Sequence, residues 1–473
     1  MANRYFLNIG ANWGDTANWS DTSGGTGGFS VPTNADDVFF DANSGNCTVN
    51  ASARVCKTLD FTGYTNTITM TFGITVSGSV TLVAAMTIAG ASGLTINATG
   101  TFTSNGKTWP NALTFSATNT LTLADDLSVG GLLTTSGGTT TVNGTFNINA
   151  SGGVTISANL VQGTGTTTLN LTGGTWSGAG VVRINTNLNG NIIISGIVWF
   201  DTRTLTYLSG TITTSGSTLR ALANVTYNTG SVVWNNITFD NLTYTLLSDL
   251  NISGNIFTLG TVTFNGTFNI NSSGTFNIGN TIQQGTGVTT LNLLGGTWST
   301  TNANGILRLN TNINGNITIS GNVYYNTGTL TYTSGKVNAN TATLNVAASS
   351  TFINCDKINF KTITITAATT QTFNRFFSGS ALVPTRIQST GANYTITFQD
   401  SFEKITKFTK ISNCTVTNRG QLLCITDKSN KGGNVGVRYI NQMPNRVPLN
   451  SPSTVSPLGY SVGQVADPNT ILI

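Results

Sequence analysis

Sixteen acidic side chains and no histidine limit the chemistry open to this 473-residue chain. Without imidazole there is no serine–histidine or cysteine–histidine nucleophile, no histidine metal site and no histidine proton transfer. Glycan cleavage by a carboxylate pair, its members about 5–10 Å apart across the substrate, stays open. The single glutamate is Glu403, in a basic stretch. Asp125 and Asp126 are sequence neighbours, so on a strand they point to opposite faces and cannot flank one sugar. In a matching stretch Ser248 and Asp249 stand in their place, which suits a turn role for Asp126 and Asp249. Asp36, Asp37 and Asp41 form the densest acidic group and offer oxygen ligands to Ca²⁺, but in no recognised loop spacing. Val38, Phe39 and Phe40 between them read as a buried strand, so local capping is expected. No metal, no cofactor and no enzymatic activity are expected.

Two other residue classes could act. Trp176 and Trp298 occupy matched positions, as do Trp199 and Tyr324, and Tyr207 and Tyr332. Outward aromatics in a row would stack on sugar rings, which makes Trp176, Trp298, Trp199 and Tyr324 candidates for glycan contact; the alternative is internal stacking. Trp13 and Trp19, beside a glycine-rich turn, are candidates for an attachment end. The five cysteines are odd in number and lack metal-ligand spacing. Cys47 with Cys56, and Cys414 with Cys424, could face across strand pairs; reduced, semi-buried thiols, Cys355 included, are the expectation. Arg183 and Arg308 also match, each between apolar neighbours, and are expected on an outer, solvated face.

These residues must be positioned by strands, because the chain repeats itself in strand-like units. Asn143–Ser177 and Asn265–Ser299 are identical at 24 of 35 positions, 122 residues apart. The match continues from Val182–Gly196 to Leu307–Gly321 at an offset of 125, then from Thr204–Gly210 to Thr329–Gly335. In Thr141–Ala150, apolar residues alternate with Thr and Asn, which puts Val142, Phe146 and Ile148 on one inner face. The copy from Phe264 repeats the pattern, with Phe268 in the place of Phe146. Gly, Asn and Ser clusters punctuate the strands, and no useful 3.6-residue apolar period occurs. A unit of 122–125 residues is too long for one turn, so several turns of about 20–25 residues each are expected.

The fold class predicted is therefore all-β: a single-chain parallel β-solenoid (β-helix) with an N-terminal cap and a small loop-rich C-terminal β domain. Residues 1–45 read as a capping or attachment segment. Residues 46–395 read as the solenoid, with 143–210 matching 265–335. Residues 396–473 read as a basic domain, with a hairpin at Asn413–Cys424 around Asn418-Arg419-Gly420 and five prolines from Pro444 onward. Only 8% of residues are charged, so Thr, Asn and Ser must supply solubility. Charge is uneven: 12 basic and 5 acidic residues from 350 onward give +7, against 9 and 11, or −2, before it. The basic end reads as a soluble cap, without nucleic acid as a partner. MANRYFLNIGANWGD has no apolar export segment and no stretch approaches a membrane span, so cytoplasmic synthesis and no membrane partner are expected.

The stretch NWSDTSGGTGGFSVPTNADDVFFDANSGNCTVN, running into CKTLDFTGYTNTITM, and the later FTKISNCTVTNRG and GVRYINQ, resemble β-rich virion proteins of tailed bacteriophages. The resemblance implies a structural fibre, spike or surface appendage in the virion. It also implies other virion proteins as partners, homotrimeric assembly and contact with host surface polysaccharide. A glycan-cleaving depolymerase spike and a bacterial surface adhesin are the alternatives.

Overall fold

The computed structural model describes residues 2–52, 54–375, 377, 385–390, 394–398, 404–407, 409–412, 414–417, 422–425 and 437–440. The Asn418-Arg419-Gly420 turn, Glu403 and the late prolines lie outside the described residues. The chain divides into two compact units, residues 1–270 with 285–287, and residues 271–284 with 288–473. Each unit is a parallel β-solenoid, and the coils number about 18 in all. The described helical turns are two short 3-10 segments, Thr16–Asn18 and Cys355–Lys357.

In the first unit a coil has three sides. Leu127–Val129, Leu133–Ser136 and Thr140–Asn143 make one coil; Ile148–Ala150, Gly153–Ile156 and Leu160–Gln162 make the next. Each strand pairs in parallel with its successor: Leu127 with Ile148, Leu133 with Val154, Thr140 with Leu160. Register keeps like over like. Leu127, Ile148 and Leu169 stack inward with no exposed surface. Each such side chain contributes about 1.5–3 kcal/mol by leaving water. Outward, Thr75, Thr95, Thr114, Thr134 and Thr155 form one column over five coils, closed by a 3.2 Å contact between the hydroxyls of Thr155 and Ser177.

Thr168–Ser177 fuses two sides of a coil in one strand. Its first half pairs with Ile148–Ala150 and its second with Gly153–Ile156. The bend falls at Gly174, at φ 75°, where an added Cβ would stand 2.4 Å from the Gly153 nitrogen. Gly296 repeats this in the second unit, at φ 80° in the strand Thr290–Thr300. The change of offset has a local cause. The first copy follows its 10-residue strand with three residues, 178–180, before Val181–Arg183. The second follows an 11-residue strand with five, 301–305, before Ile306–Arg308. The sums, 10 + 3 and 11 + 5, differ by the three residues that separate 122 from 125.

In the second unit parallel ladders continue from Thr343–Val346 through Thr362–Ile365 and Thr385–Ser389 to Thr409–Ile411. Ser350–Ile353, Thr370–Phe373, Tyr394–Phe398 and Cys414–Thr417 form a second run. Parallel pairing thus passes through residue 395, where a change of character was expected. Cys414–Thr417 pairs with Tyr394–Phe398, whereas Leu422–Ile425 pairs in parallel with Lys404–Lys407 and Val437–Ile440. The expected hairpin is therefore replaced by strands belonging to different ladders.

Several expectations about facing are corrected. Phe146 is 38% exposed and Phe268 is half-buried. The chain turns between Thr140–Asn143 and Ile148–Ala150, and again between Val262–Asn265 and Asn269–Ser272, so the two-residue period restarts after each phenylalanine. Trp13 and Trp19 are fully buried rather than presented for attachment. They pack edge to face at 5.0 Å, and Trp19 Nε1 donates to the Trp13 carbonyl at 2.7 Å. Above them Trp19–Ser20 runs antiparallel to Asn3–Phe6, whose other side pairs in parallel with Asp37–Phe39.

Candidate functional site

The side chains capable of chemistry are amides and hydroxyls, titratable groups and aromatic rings. Asparagines form ladders across the outer face of the long strands. Asn170 Nδ2 donates to Asn149 Oδ1 and Asn187 Nδ2 to Asn170 Oδ1, both at 2.8 Å. The second copy repeats this with Asn292 to Asn271 at 2.7 Å and Asn312 to Asn292 at 2.9 Å. Corners use asparagine differently: Asn185 and Asn310 Oδ1 accept from the backbone of Thr204 and Thr329, at 3.2 and 3.1 Å. Tyr207 and Tyr332 each close their own corner by donating to the Gly210 and Gly335 carbonyls.

Carboxylates are engaged in the same way. Asp126 and Asp249 accept from the Asn147 and Asn269 amides, both at 2.8 Å, one coil on. This is the turn role expected of the pair. Asp125 accepts from the Ser104 and Asn105 amides. Asp36 accepts from Ala2 and Thr33, Asp37 from Thr58, and Asp41 from Asn43. Burial acts to raise the Asp36 carboxyl, but the hydrogen bonds from Thr33 and Ala2 and the charge of Arg4 together hold the group below its usual value. Among the described residues no group of three acidic, cysteine or histidine side chains could hold a metal ion. Cys47, Cys56 and Cys355 are free and buried, and Cys414 is buried as well. Cys47 pairs in register with Ile68 and Cys56 with Val76, so the two do not face each other. Burial pushes the thiols upward, Cys414 to about 12. Such thiols are poor nucleophiles.

The aromatic candidates separate into two classes. Trp176 and Trp298 are buried, in register with Ile194 and Ile319, and no sugar can reach them. Trp199 and Tyr324 stay on the outer face. Arg220 covers Trp199, its guanidinium 4.6 Å from the ring centroid, and forms two hydrogen bonds to the Asp240 carboxylate at 3.1 and 3.3 Å. Beside it Arg183 Nε reaches Asp201 Oδ2 at 2.8 Å, so Arg183 is paired rather than solvated decoration. Sequence reading missed this cluster because its members are far apart along the chain. A coil of about 20 residues makes residues one coil apart neighbours, and that spacing is the signal that finds it.

The second copy has no such cluster. Asn345 stands beside Tyr324 where Arg220 stands beside Trp199. Asn326 replaces Asp201, and Arg308 Nε is buried without a hydrogen-bond partner. At this corner lies a groove of about 230 Å³ lined by Ser, Thr, Gly and Asn310. Thr329, Thr351 and Thr372 line it as successive rungs of one ladder, and Thr327, Ser349 and Thr370 line its remaining side.

No family model, no curated protein and no solved structure matches this chain. Among the described residues no helix is long and apolar enough to cross a membrane.

Proposed function

We propose that this chain is a structural, adhesive virion protein of a tailed phage, a fibre, spike or surface appendage, that touches host glycans without cleaving them. One observation carries the reading: carboxylates and asparagines are engaged in joining one coil to the next. Asp125, Asp126, Asp249 and Asp201 each hold a backbone amide or a guanidinium contributed by another coil. Asparagines bridge coils through side-chain ladders. A parallel stack of this kind resists pulling and proteolysis through backbone bonds and a continuous apolar interior within each unit. The amino-terminal and carboxy-terminal stretches that resemble phage virion proteins support the location. In this reading the assembled form is a homotrimer, attached to other virion proteins.

The test has two arms. Particles purified by density gradient from the organism that carries the chain are analysed by mass spectrometry and by antibody labelling. The chain is expected in the particle fraction, and its confinement to a cell envelope would overturn the location. The purified protein is also incubated with extracted host polysaccharide. Retention without new reducing ends is expected; release of reducing ends would make it a depolymerase. Sedimentation at the mass of three 49.4 kDa chains is the expected assembly.

A further inference from the structure

The groove beside the second copy gathers outward hydroxyls in a concavity. Some outward hydroxyls and amides elsewhere bond to their neighbours, Thr155 with Ser177, Thr397 with Thr417 and Asn170 with Asn149, while Thr95 and Thr114 stand unbonded on the outer column. In the groove the hydroxyls of Thr327, Thr329, Thr351, Thr370 and Thr372 make no hydrogen bond to any described residue. Its volume, about 230 Å³, lies just below the range of drug-sized pockets and suits one sugar ring. No ionisable side chain lines it, and no aromatic does. An ionic ligand would find no counter-charge there, and a flat apolar one no stacking surface.

Why the groove is open is visible in the repeat. The first copy reads Phe200 and Arg203 where the second reads Tyr325 and Gly328. The Tyr325 hydroxyl donates to the Leu309 carbonyl at 3.0 Å. A Cβ on residue 328 would stand 2.6 Å from both that hydroxyl and that carbonyl. The added phenol oxygen thus requires glycine at 328, and the loss of an arginine side chain leaves the corner bare. Thr327 holds this corner at φ 56°, a strained conformation for a β-branched residue.

We infer that this groove binds a neutral glycan through the hydroxyls of Thr327, Thr329, Thr351, Thr370 and Thr372. Each hydroxyl both donates and accepts, and the ligand groups that match such a set without charge are hydroxyls. They replace the water that satisfies the threonines in the free protein. Rungs recur about every 4.8 Å along the ladder, so a polymer laid along it meets the same group at each step. This inference rests on the glycan contact proposed above and names its site.

The experiment titrates the full chain with neutral oligosaccharides of glucose, mannose and N-acetylglucosamine, and with a sulfated glycan, by saturation-transfer NMR and calorimetry. At least one neutral series binds with a dissociation constant on the order of 1 mM. Thr351→Val with Thr372→Val keeps shape and strand preference but removes two hydroxyls. It weakens binding at least about tenfold. Thr95→Val with Thr114→Val, on the outer column of the first unit, leaves binding unchanged. Should the first double variant melt early, Thr370→Val at the exposed rim gives the same reading, with about threefold weakening. The inference is overturned if none of the three neutral series binds, if the groove variants bind undiminished, or if the sulfated glycan binds best. Failure here with the chain still present in purified particles leaves the structural reading standing. Reducing ends released by wild type and groove variant alike would sink the structural reading instead.

Discussion

Residues 199–203 read Trp-Phe-Asp-Thr-Arg and residues 324–328 read Tyr-Tyr-Asn-Thr-Gly, at the same corner of the same repeat. The backbones agree closely: Thr202 and Thr327 have φ of 55° and 56°. The flanking hydrogen bonds agree too, with Ser209 and Ser334 each donating to an asparagine Oδ1 at 2.7 Å. What differs is the decoration. The first corner carries two ion pairs and a guanidinium over an indole; the second has an unpaired Arg308 Nε and a concave surface of hydroxyls. Glycine, asparagine and the inward apolar positions specify the coil, and the outer residues change as a set without disturbing it. Phe200 with Arg203 and Tyr325 with Gly328 are such sets, because the phenol oxygen and a Cβ at 328 compete for one space.

The comparison breaks most decisively if the copies are not equally essential. Leu169→Asp and Leu291→Asp each place an unpaired charge at a fully buried, matched position. Each is expected to cost more than about 4 kcal/mol, enough to unfold its coils, by circular dichroism and limited proteolysis. A mild effect in one copy alone would show that the two are packed differently.

Alkaline pH should separate the copies next. Burial raises the Tyr325 phenol above its usual range, whereas the first copy has Phe200 in its place. A raised value means that the protonated form is favoured in the fold. The stability it contributes is complete below about pH 10, the unfolded value, and is lost as pH rises beyond it. Hydrogen exchange around 322–330 is expected to rise at pH above about 10; Tyr325→Phe should reduce that rise and leave exchange around 197–205 unchanged. Tyr227 and Tyr244 shift in the same direction and add to alkaline unfolding of the first unit. At the acid end Asp36, held low, contributes stability present above about pH 4 and lost below it. With no histidine, the melting temperature should stay nearly flat from about pH 5 to 8.

A reciprocal exchange sharpens the electrostatic difference. Asp201→Asn should remove the Arg183 pair and cost about 1 kcal/mol, since the arginine is partly exposed. Asn326→Asp should give the unpartnered Arg308 a carboxylate and stabilise by a similar or smaller amount. Melting at low and high salt reads both, and the two effects should have opposite sign and shrink in salt. An effect of similar size is expected from Asn170→Ala and Asn292→Ala, which remove corresponding rungs of the two asparagine ladders. Each should cost about 1 kcal/mol, equal within error by denaturant unfolding.

The coil itself was legible because its signals are local and repeated. Val142, Ile148, Leu169 and Leu171 alternate with Thr and Asn, and the structure buries all four. Phe146 was misassigned because alternation was carried across a corner. A turn shifts the phase, and no local rule says by how much. Asp126 and Asp249 were readable as turn residues from their matched positions. The Arg220–Trp199 contact and the groove were not, since both join residues a coil apart and depend on register. Trp176 and Trp298 left two readings open, because period two gives the face of a tryptophan only once its strand's inward positions are known.

The central claim is that both copies stack their coils in parallel and in the same register. Disulfide trapping tests it directly, in a Cys424→Ser background whose described native thiols are buried. Asn170→Cys with Asn187→Cys, and Asn292→Cys with Asn312→Cys, place new thiols on paired rungs about 4.8 Å apart, within disulfide reach. Asn170→Cys with Thr206→Cys spans two coils, about 10 Å, beyond reach. Rapid bridging of both adjacent pairs, and none of the third, is the predicted result. Failure of either adjacent pair to bridge, or bridging of the third pair within one chain, would contradict the shared register.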